Sequence, residues 1–381
     1  MRLALLCGGL EPGRDGVGDY SRQLGAEFEK RGHEVLLMAL NDRWHKGPAA
    51  AEPPVLRFGT LTPAERRAET ALTMLERFSP DWVSLQYVCY AYHPKGLAWH
   101  WNPIFAQLGG TGRRRHLMLH ELWSGEGGRP PWKHRLIGLG QRWCIRNLHR
   151  WLRPEVVTTS IPLFRRRLSN RGIAATLLPL FGNIQVAPRD DARIRALLAT
   201  AGSRMVQEPR GSFLNGVFFG TIHPDFNVVP LAQWLAQLHG QSHQRVLLTM
   251  IGRTGTAAGK IARQLERLLP DSLEVMALDE QPAAVISQAL QFADFGINTG
   301  ASDYLGKSGT FAAMREHGLP VVVAEGEVDP QLQAQGAPPI LQFSTADSAA
   351  IVRRRVGADP VAAGVARTAA NMLGLFGKPA A

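Results

Sequence analysis

Short apolar runs rich in β-favouring residues alternate along the whole chain with segments whose apolar positions recur every three to four residues. The runs cover 3–7, 34–40, 81–87, 116–120, 156–160 and 176–180 in the first half, then 216–220, 246–251, 273–277, 294–298 and 319–324. Runs without polar alternation predict strands buried on both faces, and the intervening helical patterns predict the crossovers of parallel sheets. This rhythm breaks over 188–212, where charge, Gly and Pro accumulate. The pattern therefore predicts an α/β chain of two doubly wound, Rossmann-like domains. One spans 1–187 and the other 213–358, with 188–212 as the boundary and a closing helix and tail over 359–381. Segments 48–54 and 334–339 read as loops. A length of 381 residues suits two domains. Doubly wound sheets bind ligands beyond the carboxyl ends of their strands, so two facing domains predict a central cleft.

Composition changes this picture in one respect. Hydrophobic residues make up 45% and charged residues 20%, a globular balance that excludes wholesale disorder. The formal charge of +11 is confined to 113–171, which holds 14 Lys and Arg against Glu121, Glu126 and Glu155. The rest of the chain is neutral, so the excess predicts one electropositive face and not a polyanion-coated surface. The three cysteines, Cys7, Cys89 and Cys144, are too few and too far apart for a disulfide framework or a Cys-rich metal site. Residues 1–10 read as a first strand, because Gly8 and Gly9 cut the apolar run below signal-peptide length. The sparse cysteines fit a reducing cytosol as the expected location, and no segment approaches the roughly 18 apolar residues of a membrane span, so any membrane association is expected to be peripheral.

Four motifs carry candidate chemistry. Gly8, Gly9 and Gly13 precede Gly16-Val17-Gly18-Asp19-Tyr20, a Gly-rich turn opening a helix. It reads either as a phosphate cradle using backbone N–H groups and the helix dipole or as an ordinary tight βα turn. The spacing is not that of a dinucleotide fingerprint, which disfavours a nicotinamide cofactor. His120 closes the apolar run 116–120 and is followed by Glu121, placing an ionisable group at a strand end. Thr221 and Arg253 follow the first two strands of the second domain; Arg253 reads as a phosphate-binding cation or as a solvated loop residue. Tyr304-Leu305-Gly306-Lys307-Ser308-Gly309-Thr310 follows the strand over 294–298 and leads into a helix beginning near Ser308. Backbone amides, hydroxyls, one Lys and a helix dipole together predict an anion site there. The stretch 301–308 also matches a loose P-loop pattern, but only 73 residues follow Ser308, too few to build the remaining nucleotide fold.

With these residues in view, the chain resembles the retaining GT-B glycosyltransferases that use nucleotide-sugar donors. The resemblance spans nearly the whole chain. It is strongest in the Gly-rich opening with Lys30-Arg31-Gly32-His33-Glu34-Val35, the strand ending in His120, and Ala312-Ala313-Met314 leading to Gly318-Leu319-Pro320-Val321-Val322. It implies that Gly16 and Gly18 face the donor diphosphate, that His120 is catalytic at the reacting sugar, and that 306–310 binds donor, including Lys307, Ser308, Gly309 and Thr310. Asp19 and Glu121 are the acceptor-side candidates. It also implies retention of anomeric configuration. The chain departs from the family where two glutamates are usual, at Ala312 and Tyr304, and where Arg and Lys are usual, at Thr221 and Phe226. Lys307 and Arg253 are the substitute cations, since a departing diphosphate needs charge stabilisation. Asp303, Glu325 and Glu327 are the candidates for a ribose-binding carboxylate. The family resemblance predicts a hexosyltransferase-like enzyme acting without metal or cofactor, with a glycan, lipid-linked or small-molecule acceptor and a place in cell-envelope glycan synthesis.

The rival expectation is a non-catalytic GT-B-like protein that binds nucleotide-sugar or glycan. A nucleic-acid binder using Arg113-Arg114-Arg115 and Arg165-Arg166-Arg167 is not expected, because no nucleic-acid module accompanies them. Over 133–153, Arg142, Arg146 and Arg150 recur at four-residue steps beside Leu136, Leu139, Trp143 and Trp151, and seven of the nine Trp lie between Trp82 and Trp151. That segment reads either as an anionic-membrane surface within 113–171 or as a solvated Arg face over a Trp-rich core.

Overall fold

The computed structural model describes residues 1–47, 50–52, 54–110, 112–126, 131–223, 226–333, 337–353 and 364–377, with the side chains of 50–52 and 353 outside the description. The chain forms two compact units, Met1–Pro179 with Val365–Ala381 and Leu180–Gly364. Both are α/β, as the alternating pattern predicts.

The first unit holds β1 (Arg2–Cys7), β2 (Glu34–Asp42), β3 (Ala50–Glu52), β4 (Val55–Gly59), β5 (Trp82–Tyr87), β6 (Arg114–Leu119), β7 (Val156–Thr159) and β8 (Thr176–Leu177). They form one sheet in the order β3-β4-β2-β1-β5-β6-β7-β8, in which only β3 pairs antiparallel. Leu3 to Cys7 of β1 are buried without alternation, as a strand covered on both faces requires. The order reverses between β1 and β5.

The final helix, Gly364–Phe376, returns to this unit. Phe376 stacks on Trp82 with ring centroids 4.0 Å apart and meets the His116 ring edge-on at 5.3 Å. Arg114 donates from Nη1 to the Phe376 carbonyl at 2.8 Å while its guanidinium lies over Trp82. Thr368 donates to the Pro179 carbonyl at 2.9 Å. The closing helix is thus the expected one over its described residues; 359–363 lie outside them.

The second unit holds β9 (Phe213–Phe219), β10 (Arg245–Ile251), β11 (Leu273–Asp279), β12 (Phe295–Ile297), β13 (Val321–Val323) and β14 (Ile340–Gln342). All are parallel, in the order β11-β10-β9-β12-β13-β14. This is the doubly wound order of a dinucleotide-binding sheet, with its switch between β9 and β12. Side chains alternate between two cores: Phe213, Val217 and Phe219 enter one, Leu214 and Phe218 the other.

Segment 188–212, expected as a boundary, lies wholly inside the second unit. It contains the helix Asp191–Thr200, whose cap Asp190 accepts from Arg193 N at 2.9 Å and whose Ile194 and Leu198 are buried. Those two residues and Leu197 stand at helical spacing, a signal too short to outweigh the surrounding charge and Gly. Part of one expected loop is a strand, since β3 falls within 48–54, whereas β14 begins only after 334–339, whose described residues 337–339 are in neither helix nor strand. Residues 48–49, 53 and 334–336 themselves lie outside the described residues.

Phe376→Ala is expected to cost about 3–5 kcal/mol, because it removes the ring that closes the final helix onto Trp82 and His116. Denaturant unfolding followed by tryptophan fluorescence measures this loss; an unchanged midpoint would show that the helix contributes no packing energy.

Candidate functional site

In the second unit the loops after β9 and β12 diverge at the switch point and leave a pocket of about 330 Å³. Its walls come from Phe218 to His223 and from Ile297 to Ala301, completed by Tyr304, Leu305, Lys307, Ser308 and Thr310. Gly220 has φ of 82°, a backbone state that disfavours other residues, and a Cβ there would lie 2.8 Å from Thr310 Cγ2. The loop after β9 therefore comes close against the start of the helix Gly309–Glu316 only because residue 220 is glycine. Ser308 caps that helix, its Oγ accepting from Phe311 N at 3.2 Å and lying 3.0 Å from Thr310 Oγ1. Gly309 is the first helical residue, between two that line the pocket. Helix geometry leaves the first-turn amides without intrahelical partners, and the cap is a neutral hydroxyl, so the positive end of the dipole keeps its charge toward the pocket.

Lys307 lines the same pocket, its Nζ 5.2 Å from the centroid of the Tyr304 ring. Asn298 Oδ1 accepts from Gly300 N at 2.8 Å and Thr299 Oγ1 from His223 N at 3.1 Å, which fixes the opposite wall. The contribution of 298–300 was not singled out from sequence; the signal present was Asn-Thr-Gly directly after a strand, the residues of an Asx turn. No Asp or Glu is among the described lining residues. Of the three carboxylates expected to hold a ribose, Glu325 accepts from Ser344 N at 2.7 Å and from its Oγ at 3.1 Å, and Asp303 and Glu327 also lie off the lining.

Arg253, read from sequence as a phosphate-binding cation or a solvated loop residue, pairs with Glu280 Oε1 at 2.9 Å and is not among the described residues lining this pocket. The loop after β10 turns its guanidinium toward the end of β11, where the carboxylate stands.

The Gly-rich opening of the first unit, read as a phosphate cradle or an ordinary tight turn, is bonded by its own side chains. Asp15 caps the helix Gly16–Lys30, and its Oδ1 accepts from Val17 N at 3.0 Å and from Gly18 N at 2.9 Å. The amides that would cradle a phosphate already hold a carboxylate. Burial raises the Asp15 pKa above its ordinary value despite those two bonds. Buried Asp42, at the end of β2, accepts from Leu10 N at 3.0 Å, so a second acid stands against this loop. Gly16 is exposed, and Gly18 is a packing glycine: a Cβ there would meet the Gly9 carbonyl oxygen at 2.4 Å. Asp19 Oδ1 accepts from Gly13 N at 2.8 Å, closing the turn.

His120 follows β6 directly, with its N–H donating to the Tyr87 carbonyl at 3.2 Å, and Glu121 comes next, half-buried. The ring is buried against Tyr20, edge-on at 4.9 Å, and burial pushes its pKa down to about 3. A buried polar chain decides its tautomer. Thr158 has one hydroxyl hydrogen and gives it to Met118 Sδ at 2.9 Å, so it accepts from His116 Nε2 at 2.8 Å. His116 is also held neutral by burial, with a pKa of about 3, so its Nδ1 accepts from Ser84 Oγ at 2.7 Å. Ser84 Oγ in turn accepts from Gln86 Nε2 at 2.7 Å, and Gln86 Oε1 accepts from His120 Nε2 at 2.9 Å. His120 is therefore the Nε2–H tautomer, with Nδ1 carrying a lone pair. It is an acceptor at neutral pH and not a ready proton donor.

No protein-family model and no curated protein matches the chain in sequence. Solved structures match its fold along nearly its whole length. The Anabaena protein Alr3699/HepE, determined in complex with UDP and glucose, aligns with a TM-score of 0.56 at 14% identity, covering 98% of this chain and 94% of that one. The fold is GT-B. Sucrose-phosphate synthase from Thermosynechococcus elongatus aligns at 0.53 with 14% identity, covering 99% and 95%. UDP-GlcNAc 2-epimerase from Methanocaldococcus jannaschii aligns at 0.52 with 9% identity, covering 99% of each chain. The same GT-B frame thus carries different reactions, and the residues at the pocket have to discriminate among them. Where the GT-B transferases resembled in sequence usually carry a Lys, Phe226 packs edge-on to Phe218 at 6.2 Å, turned into the core. Where they usually carry a Glu, Tyr304 lies beside Lys307.

Nitrogen-15 NMR of the histidine rings at neutral pH is expected to show His120 as the Nε2–H tautomer; an Nδ1–H form would contradict the direction of the chain. Thr158→Val removes the hydroxyl that orients it and is expected to cost about 1–3 kcal/mol, with an Nδ1–H form of His116 appearing.

Acid stability follows from the same two rings. Their folded pKa values lie below the ordinary 6.5, so the unfolded chain binds more protons below that pH. Stability is expected to fall from about pH 6.5 toward pH 3, by about 1.4 kcal/mol per pH unit for each histidine. Urea unfolding of wild type and His116→Gln across that range checks the slope, which the substitution should reduce.

Proposed function

We propose that the protein is a GT-B glycosyltransferase that moves a hexosyl group from a nucleoside-diphosphate sugar to a glycan, lipid-linked or small-molecule acceptor. The observation that carries this reading is the pocket at the β9–β12 switch point, where Lys307, Ser308 and Thr310 stand at the open start of a helix. A departing nucleoside diphosphate gathers negative charge on its oxygens. First-turn amides, the helix dipole and the Lys307 ammonium stabilise that charge without a metal ion. The reaction then needs no resident cofactor. Retention of configuration is part of the proposal through the resemblance in sequence, as are a cytoplasmic location and a role in envelope glycan synthesis. On the first unit the proposal assigns His120 as a catalytic group acting through its Nδ1 as a hydrogen-bond acceptor, with Asp19 and Glu121 on the acceptor side.

One observation favours a second reading. The pocket lining has no described carboxylate, so the protein could hold a nucleotide sugar or glycan without turning it over. Donor consumption separates the two.

Calorimetry with UDP and a panel of nucleotide sugars, followed by product analysis, tests the proposal. Lys307→Ala is expected to weaken UDP by about ten- to a hundredfold, the worth of a charged hydrogen bond. Unchanged affinity in this variant would remove the diphosphate from Lys307. Binding with no donor consumed under any acceptor would establish the second reading.

A further inference from the structure

The helix Trp132–Leu152 has two apolar faces. At 100° per residue, Gly138, Gln141, Ile145, Leu148 and Leu152 share one side and are buried. Trp132, Leu136, Leu139 and Trp143 fall within about 60° of one another on the opposite side. These four are 66%, 56%, 53% and 56% exposed. A surface helix ordinarily keeps its polar residues there. The same line continues through Arg146 and Arg150, both exposed, and Lys133 and Arg135 flank its start. Trp151, 57% exposed, stands about 100° round the helix from Arg150. The Trp-rich-core expectation therefore fails for this helix: its tryptophans face out.

We propose that this face docks the protein on an anionic lipid surface, with Trp132, Leu136, Leu139 and Trp143 entering the headgroup boundary and Arg146 and Arg150 facing lipid phosphates. The charge selects this occupant. The helix has five Lys and Arg and no Asp or Glu in its 21 residues. A second copy of the same face would bring these cations against one another, whereas an anionic bilayer neutralises them and accepts the Trp rings at its interface. The inference does not rest on the donor reading, because lipid binding is measured without turnover.

Flotation of the full chain with phosphatidylcholine vesicles, with and without phosphatidylglycerol, tests it. Binding is expected only to the anionic vesicles and is expected to weaken with salt. Leu139→Ser with Trp143→Ser, and separately Arg146→Glu with Arg150→Glu, should each lower the partition coefficient about tenfold or more. All four side chains are exposed, so thermal unfolding should stay at the wild-type midpoint and confirm the fold. Failure of wild type to float with either vesicle would overturn the inference, as would binding that both variants leave intact. Light scattering that finds a dimer dissociated by the same variants, with no flotation, would assign the face to a second copy instead.

Discussion

Parallel strands cannot be joined by tight turns. Each must hand the chain to a crossover that covers one face of the sheet, so all carboxyl ends gather along one edge. In each unit the strand order reverses once, between β1 and β5 and between β9 and β12. Successive crossovers leave in opposite directions at those points, and their loops separate. The pocket between Gly220, Asn298 and Lys307 lies where the loops separate, beyond the ends of β9 and β12.

Two helix starts, one after β1 in the first unit and one after β12 in the second, carry caps of different charge. Asp15 places a carboxylate on the amides of Val17 and Gly18, so the first dipole is answered within the chain. Ser308 places a neutral hydroxyl at the start of the helix that follows β12 in the second unit. A Gly-rich turn is common to both. The two turns differ in the charge of a single capping side chain. The neighbouring polar chain from Met118 to His120 works by a similar economy: each buried donor has one acceptor, and that sets which His120 nitrogen stays basic.

Much of this was legible in the sequence because burial on both faces writes itself as unbroken apolar runs. β1, β2, β5, β10 and β11 stand close to their expected bounds for that reason. β3, β4 and β14 have three to five residues each, too few to carry a pattern of their own. The helix Asp191–Thr200 was hidden because Ile194, Leu197 and Leu198 stand among charged neighbours. At the site, Lys307 to Thr310 could be read as an anion loop because helix start, hydroxyls and cation are contiguous. Arg253 could not be placed, since Glu280 lies 27 residues away in sequence and is brought beside it only by the pairing of β10 with β11.

The sequence alone determined the two α/β halves, the order of strand and crossover, the segment that carries the charge, and the loop with the chemistry of an anion site. These are local quantities: a run, a period, a count, a cap. The tertiary structure decided which cation faces the pocket, which Gly-rich turn is already occupied, which nitrogen of His120 accepts, and which side of the Trp132–Leu152 helix meets water. Apart from the occupied turn, where Asp15 bonds amides two and three residues on, these depend on partners far away in the chain that only the packing of sheets and helices brings together.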